Sequence, residues 1–131
     1  MSKREILFRG KRKDNGEWIY GVPITDEATN DAYIITSTAG ASLKSEINNM
    51  CATGFRIIRN TVGQYTGLTD KNGLTKIFEG DIVRIFDGEY CNAVIKYSNE
   101  KGSFTVDDTS LYYWVSDIEV IGNIHDNGYP F

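Results

Sequence analysis

Ile6-Leu7-Phe8-Arg9, Lys13-Asp14-Asn15-Gly16 and Trp18-Ile19-Tyr20-Gly21-Val22 follow one another near the start of the chain, and their order decides how the rest is read. An alternating apolar segment, a polar corner ending in Asn-Gly, and an aromatic segment form the pattern of a β-hairpin. Asn and Gly tolerate the positive φ angles of a type I′ turn, whose twist matches that of the flanking strands. Pro23 has no N–H to donate to a ladder, so this strand ends there or lies at an edge.

The same punctuation recurs along the chain. Tyr33-Ile34-Ile35-Thr36 and Phe55-Arg56-Ile57-Ile58 read as short strands, and Val62 to Gly67 as a strand bent at its glycines. Asp70-Lys71-Asn72-Gly73 is a second Asn-Gly corner. Lys76 to Phe86 reads as a strand pair or one strand kinked at Gly80, and Asp87-Gly88 turns the chain again. Cys91, Ala93, Ile95 and Tyr97 alternate with Asn92, Val94 and Lys96, the period of a half-buried antiparallel strand. After the corner Asn99 to Gly102, the segments Ser103 to Val106, Leu111-Tyr112-Tyr113-Trp114-Val115 and Ile118 to Ile124 complete the series.

The fold expected is therefore mainly β, built of short antiparallel hairpins. The order Gly80-Asp81-Ile82-Val83, a turn, then Ala93-Val94-Ile95-Lys96-Tyr97 suggests an SH3-like small barrel in the C-terminal half, an analogy of fold alone. Ser42 before Leu43 and Ile47, at i and i+4, predicts at most a short helix within residues 37–50. The expected division is an N-terminal β-hairpin and variable segment over 1–60, then a barrel module over 61–131, either separate or as one compact unit. The shared rhythm of the two Asn-Gly corners is better explained by recurrent hairpin chemistry than by duplication.

Charge is unevenly distributed. The chain of 131 residues carries a formal net charge of −4. Residues 1–20 hold six basic and three acidic residues, a net +3; residues 62–131 hold five basic and eleven acidic residues, a net −6. This balance speaks against a sequence-independent grip on nucleic acid, which requires many phosphate neutralisations. The basic start is suited to an anionic partner or to the acidic half of another subunit. Cys51 and Cys91 lack Cys-x-x-Cys spacing, and with His125 they fall short of the four N/S ligands of structural zinc. Lys3, Arg4 and Glu5 interrupt any signal-like apolar run, so the expected location is the cytoplasm, with reduced thiols and no membrane association.

Candidate chemistry is sparse. Asp70, Glu79 and Asp81, with Asp107 and Asp108, have the oxygen ligands a hard cation takes, yet most stand where turns favour Asp. Tyr65, Tyr90, Tyr112, Tyr113 and Trp114 are suited to stacking, but the segment 102–131 has no basic residue besides His125 to supply the electrostatic half of nucleic-acid binding. Gly63-Gln64-Tyr65-Thr66-Gly67 lacks the Gly-Lys-Ser/Thr ending of a phosphate loop. His125-Asp126 reads as a polar turn, and Cys51 as a buried or merely free thiol.

Arg4 to Arg9 with Trp18-Ile19-Tyr20-Gly21, the central run Thr61 to Gly73 continuing to Ile77-Phe78-Glu79-Gly80-Asp81-Ile82-Val83, and Ile118 to Ile124 together resemble the YopX family. The resemblance spans most of the chain but not residues 23–60. It implies a β protein encoded by phages and prophages of low-GC Gram-positive bacteria and acting inside the cell, and it implies no activity. The functional expectation is a non-enzymatic accessory protein of a prophage, a protein-interaction or assembly module that self-associates and uses no cofactor. The second expectation is a nucleic-acid-associated module using the basic hairpin. The candidate interaction surface is Arg9, Lys11, Arg12, Lys13, Gln64 and Tyr65.

Overall fold

Alternation and corner chemistry give an almost wholly antiparallel β chain in the computed structural model, which describes residues 5–36, 54–86 and 88–128. The helix expected within 37–50 and Cys51 lie outside these residues. The chain divides into two compact units, Leu7–Gln64 and Tyr65–Phe131 with Met1–Ile6.

In the unit Leu7–Gln64 the hairpin forms as expected. Strand β1 (Phe8–Lys11) pairs with β2 (Trp18–Asp26), Phe8 opposite Gly21 and Lys11 opposite Trp18. The corner differs from the type I′ turn expected, because only Gly16 takes a positive φ, 73°. Asn15 instead uses its side chain, whose Oδ1 accepts the Glu17 N–H at 2.9 Å. Strands β3 (Asp31–Ile35) and β4 (Gly54–Ile57) extend the sheet on one side, and the first residues of β5 (Gly63–Thr69) pair with β1 on the other. The outer edge of β4 is drawn back toward the residues after β1. Arg12 bridges Ile57, the Lys13 N–H donates to the Arg56 carbonyl at 2.9 Å, and the Ile58 N–H donates to the Lys11 carbonyl at 2.9 Å.

This curl encloses a small core of Ala32, Ile34 and Ile57, against which Ile19, Phe55 and Val62 pack. Ile34 is fully buried, which contributes about 1.5–3 kcal/mol. Two glycines make the curl possible. A Cβ at Gly10 would lie 2.5 Å from Ile57 Cγ2, and one at Gly21 would lie 2.3 Å from the Ile35 carbonyl oxygen.

In the other unit, Lys76 to Phe86 resolves into two strands. β6 (Lys76–Phe78) pairs with β5, and a turn at Glu79-Gly80 leads into β7 (Asp81–Phe86). β7 joins β8 (Tyr90–Ser98), β9 (Ser103–Val106), β10 (Thr109–Ser110) and β11 (Ile118–Asn123) in a sheet of order β10-β9-β8-β7-β11. The sheet is open, with β10 and β11 at its edges, so the SH3-like closure expected here is not formed. β10 is only two residues long, and the chain then leaves the sheet as α1 (Leu111–Trp114) and a 3₁₀ turn, Val115–Asp117.

That helical turn overturns the strand expected over Leu111 to Val115. Leu111 is 2% exposed, and Trp114 and Val115 pack on the same core, the i, i+3, i+4 spacing of a helix face. Tyr112 and Tyr113 point outward, 77% and 70% exposed. The core beneath comprises Val83, Ile85, Ala93, Ile95, Val106, Leu111 and Ile118 with Ile77 of β6. A last helical turn, α2 (Ile124–Asn127), follows β11.

Candidate interaction surface

The residues that carry the family-like pattern act first on the backbone. Asp70 is buried, 5% exposed. Its Oδ1 accepts the Asn72 N–H at 3.1 Å, and its Oδ2 accepts the Val120 N–H at 3.4 Å. The Lys71 N–H donates to the Ile118 carbonyl at 2.8 Å. The second Asn-Gly corner thus covers the outer edge of β11, which would otherwise offer unpaired groups to another chain. Asp81 Oδ2 accepts the Phe78 N–H at 2.7 Å across the Glu79-Gly80 turn, and the Gly80 carbonyl accepts the Ile124 N–H at 3.0 Å.

Asn123 caps α2 by accepting the N–H groups of His125 and Asp126 at 3.0 and 2.9 Å, while its Nδ2 donates to Asp126 Oδ2. Asn127 Oδ1 returns to accept the Asn123 N–H at 3.1 Å. Gly122 leaves room for it, since a Cβ there would lie 2.5 Å from that oxygen. His125 and Asp126 accordingly sit in a capped helical turn, and the expected polar turn is regular structure.

Among the described residues no three His, Cys, Asp or Glu side chains are grouped to hold a metal ion. Asp70 and Asp81 are engaged as backbone acceptors. Asp107 and Asp108 form the β9–β10 corner, with φ of 52° and 63°, so the paired positive φ angles expected at Asn-Gly occur instead at Asp-Asp. No described helix is long and apolar enough to cross a membrane.

The six residues read as an interaction surface separate into several environments. Arg9 is buried, 7% exposed, with its guanidinium carbon 4.6 Å from the centre of the Trp18 ring. Gln64 is half-buried opposite Phe8. Tyr65 belongs to the other unit, is 7% exposed and packs on Phe78 with ring centres 5.6 Å apart. Burial, and then Glu5, push its phenol above the usual tyrosine range. Lys11 lies half-buried, its ammonium 5.8 Å from the centre of the Trp18 ring.

Arg12 and Lys13 are different, for they line an open cleft of about 390 Å³ with Asp14, Gly54, Phe55 and Arg56. Arg12 lies over Phe55 at 4.7 Å and grips Asp14 with two bonds of 2.9 and 2.6 Å. Arg56 donates to Asp31 at 2.8 Å. The Arg12 hydrogen bond holds the Asp14 carboxyl below the usual range. The Arg56 bond does the same for Asp31, which in turn raises Arg56. Both guanidinium groups are therefore fixed in orientation and half-neutralised. Phe55 and Arg56 were legible in sequence only as strand; the partnership of Phe55 with Arg12 and of Arg56 with Lys13 depends on the curl that brings β4 back to β1.

The family model described as YopX protein matches residues 7–129. No curated protein matches the chain. A match over nearly the whole chain places it in the YopX family.

Proposed function

We infer that this member of the YopX family is a non-enzymatic accessory protein of a prophage, acting in the host cytoplasm through protein contacts. The observation that supports this most is the cleft over Phe55. Arginines stacked on aromatic rings and held by carboxylates recur in the buried centres of protein interfaces, where little rotamer freedom remains to be lost. An acidic segment is the complementary partner, and the acidic residues of 62–131 in a second copy supply one. Such a contact joins two different patches, so it closes as a ring or grows as a filament.

The test is affinity capture from induced cells, with and without nuclease, using the parent and an Arg12→Ala/Lys13→Ala/Arg56→Ala variant confirmed to be folded. Partners that survive nuclease and are lost with the variant support the reading. Partners retained by the variant would place the contact elsewhere. Light scattering at micromolar concentration and low salt addresses self-association, and a monomer there removes that part.

The second reading is nucleic-acid association, favoured by the exposed Lys13, Arg56 and Arg59. Internal pairing of Arg12 with Asp14, Arg56 with Asp31 and Arg59 with Glu27 leaves this surface weak at releasing counterions. A low-salt gel shift without complex disposes of it.

A further inference from the structure

The open sheet leaves one strand half unpaired. β8 bonds to β7 from Tyr90 to Val94, but its other side meets β9 only from Ile95 to Ser98. At Val106 the chain turns away through Asp107-Asp108 into β10. Among the described residues no strand pairs with the β9 side of Tyr90–Val94. Tyr90 is 67% exposed and Cys91 and Asn92 are exposed as well, while the side chains of Ala93 and Val94 are buried.

Exposed edges invite pairing and are normally blunted. Three of the others here are: β11 by Asp70, Lys71 and Asn127, β4 by Lys11 and Lys13, and β10 by its length of two residues. The staggered half of β2 carries Pro23, which has no N–H. β8 has no such device. Beside it lies a cleft of about 130 Å³, walled by Asn92, Val94, Lys96, Thr105, Asp107 and Asp108. That is too small for a cofactor, whose sites run to about 300–1,000 Å³, and suits one side chain.

We propose that Tyr90–Val94 accepts an extended segment of another protein as an added strand in line with β9, with a Lys or Arg of that segment entering the cleft beside Asp107 and Asp108. Strand addition takes its affinity from main-chain bonds and its specificity from alternate side chains. The charge decides the occupant. Lys96 lines the cleft with the two carboxylates, and the Lys101 ammonium donates to the Asp108 carbonyl beside it, so the selecting field is that of the whole unit. The unit carries seven basic and twelve acidic residues, a net −5, so the same unit of a second copy meets it as a like charge, whereas a basic segment is attracted.

The inference rests on the reading of the protein as a contact module, yet it concerns the unit that does not hold the Phe55 cleft. Since the proposed self-contact draws on acidic residues of this unit, the titration is also run on the Arg12→Ala/Lys13→Ala/Arg56→Ala variant, which lacks that contact, and the two fail separately. The experiment is a ¹H–¹⁵N NMR titration of the full chain with the peptide Val-Thr-Val-Lys-Val-Thr-Val, and with the same peptide carrying Glu in place of Lys.

Shifts centred on the amides of Tyr90–Val94, slowed exchange there, and at least tenfold weaker binding of the Glu peptide are expected. An Asp107→Asn/Asp108→Asn variant keeps residues that tolerate positive φ and should also bind the Lys peptide at least tenfold more weakly, with the remaining spectrum unchanged. Three results would overturn the proposal: no shift at Tyr90–Val94 with millimolar peptide, equal binding of both peptides, or concentration-dependent shifts at the same amides without peptide, which would assign the edge to a second copy.

Discussion

Replacing Asp70 with Ala removes both acceptors that fasten the Asn72-Gly73 corner to β11. The carboxylate is 5% exposed and accepts from Asn72 at 3.1 Å and from Val120 at 3.4 Å. A hydrogen bond to a charged group contributes about 1.5–3 kcal/mol, and the longer of these two belongs at or below the low end. The loss expected is about 2–4 kcal/mol, a large fraction of the stability of a small domain. With a mid-range urea slope of about 2 kcal/mol/M, the unfolding midpoint falls by about 1–2 M. Asp70→Asn keeps one acceptor and loses the charge, so its shift lies between parent and Ala. Glu100→Ala, in an exposed turn, serves as control and stays within about 0.5 kcal/mol of the parent. An Asp70→Ala protein that unfolds at the parent midpoint would refute the reasoning and free this carboxylate for another role.

Gly21→Ala places a methyl 2.3 Å from the Ile35 carbonyl oxygen, and backbone cannot step aside as a side-chain tip does; about 2–3 kcal/mol of destabilisation is expected. Gly73→Ala meets nothing within 4 Å but must hold a φ of 72°, costing about 1–2 kcal/mol; chemical denaturation of the two variants side by side checks the order. Asn123→Ala removes the α2 cap and costs about 0.5–2 kcal/mol, read in the same melts and in faster exchange of the His125 and Asp126 amides. Asp31, held below its usual range by Arg56, stabilises the fold above the ordinary Asp value of about 3.9. This contribution is lost as pH falls through the lowered value. In Arg56→Gln, the Asp31 carboxyl followed by NMR titrates at higher pH, and that acid-dependent part of stability disappears.

Hairpins were legible where a corner and an alternating strand agreed. The pairs β1–β2 and β7–β8 have local signals at both ends, and their registers follow. The turn type at Asn15-Gly16 was not legible, because the Asn side chain competes with its own backbone for the geometry of the corner. Leu111 to Val115 misled for another reason. A run of five apolar and aromatic residues fits either period, and only the ending of β10 beside the core selects the helical one. The sheet's openness was hidden too, since closure depends on pairing between strands far apart in sequence. Of the candidate surface, Arg12 and Lys13 reach the cleft, whereas Arg9 and Tyr65 are buried. Their partners Phe55 and Arg56 come from a strand more than forty residues away, beyond the reach of any local pattern.

The most direct test of the view that the recognisable residues build backbone is amide hydrogen exchange of the parent protein at Asn72, Phe78, Val120, Asn123 and Asp126. Each of these N–H groups donates to a side chain of Asp70, Asp81, Asn123 or Asn127. Exchange slowed well below the rate of an unstructured chain at all five is the result predicted. Unprotected rates at these amides, with the core amides of β7 and β8 still protected, would contradict it.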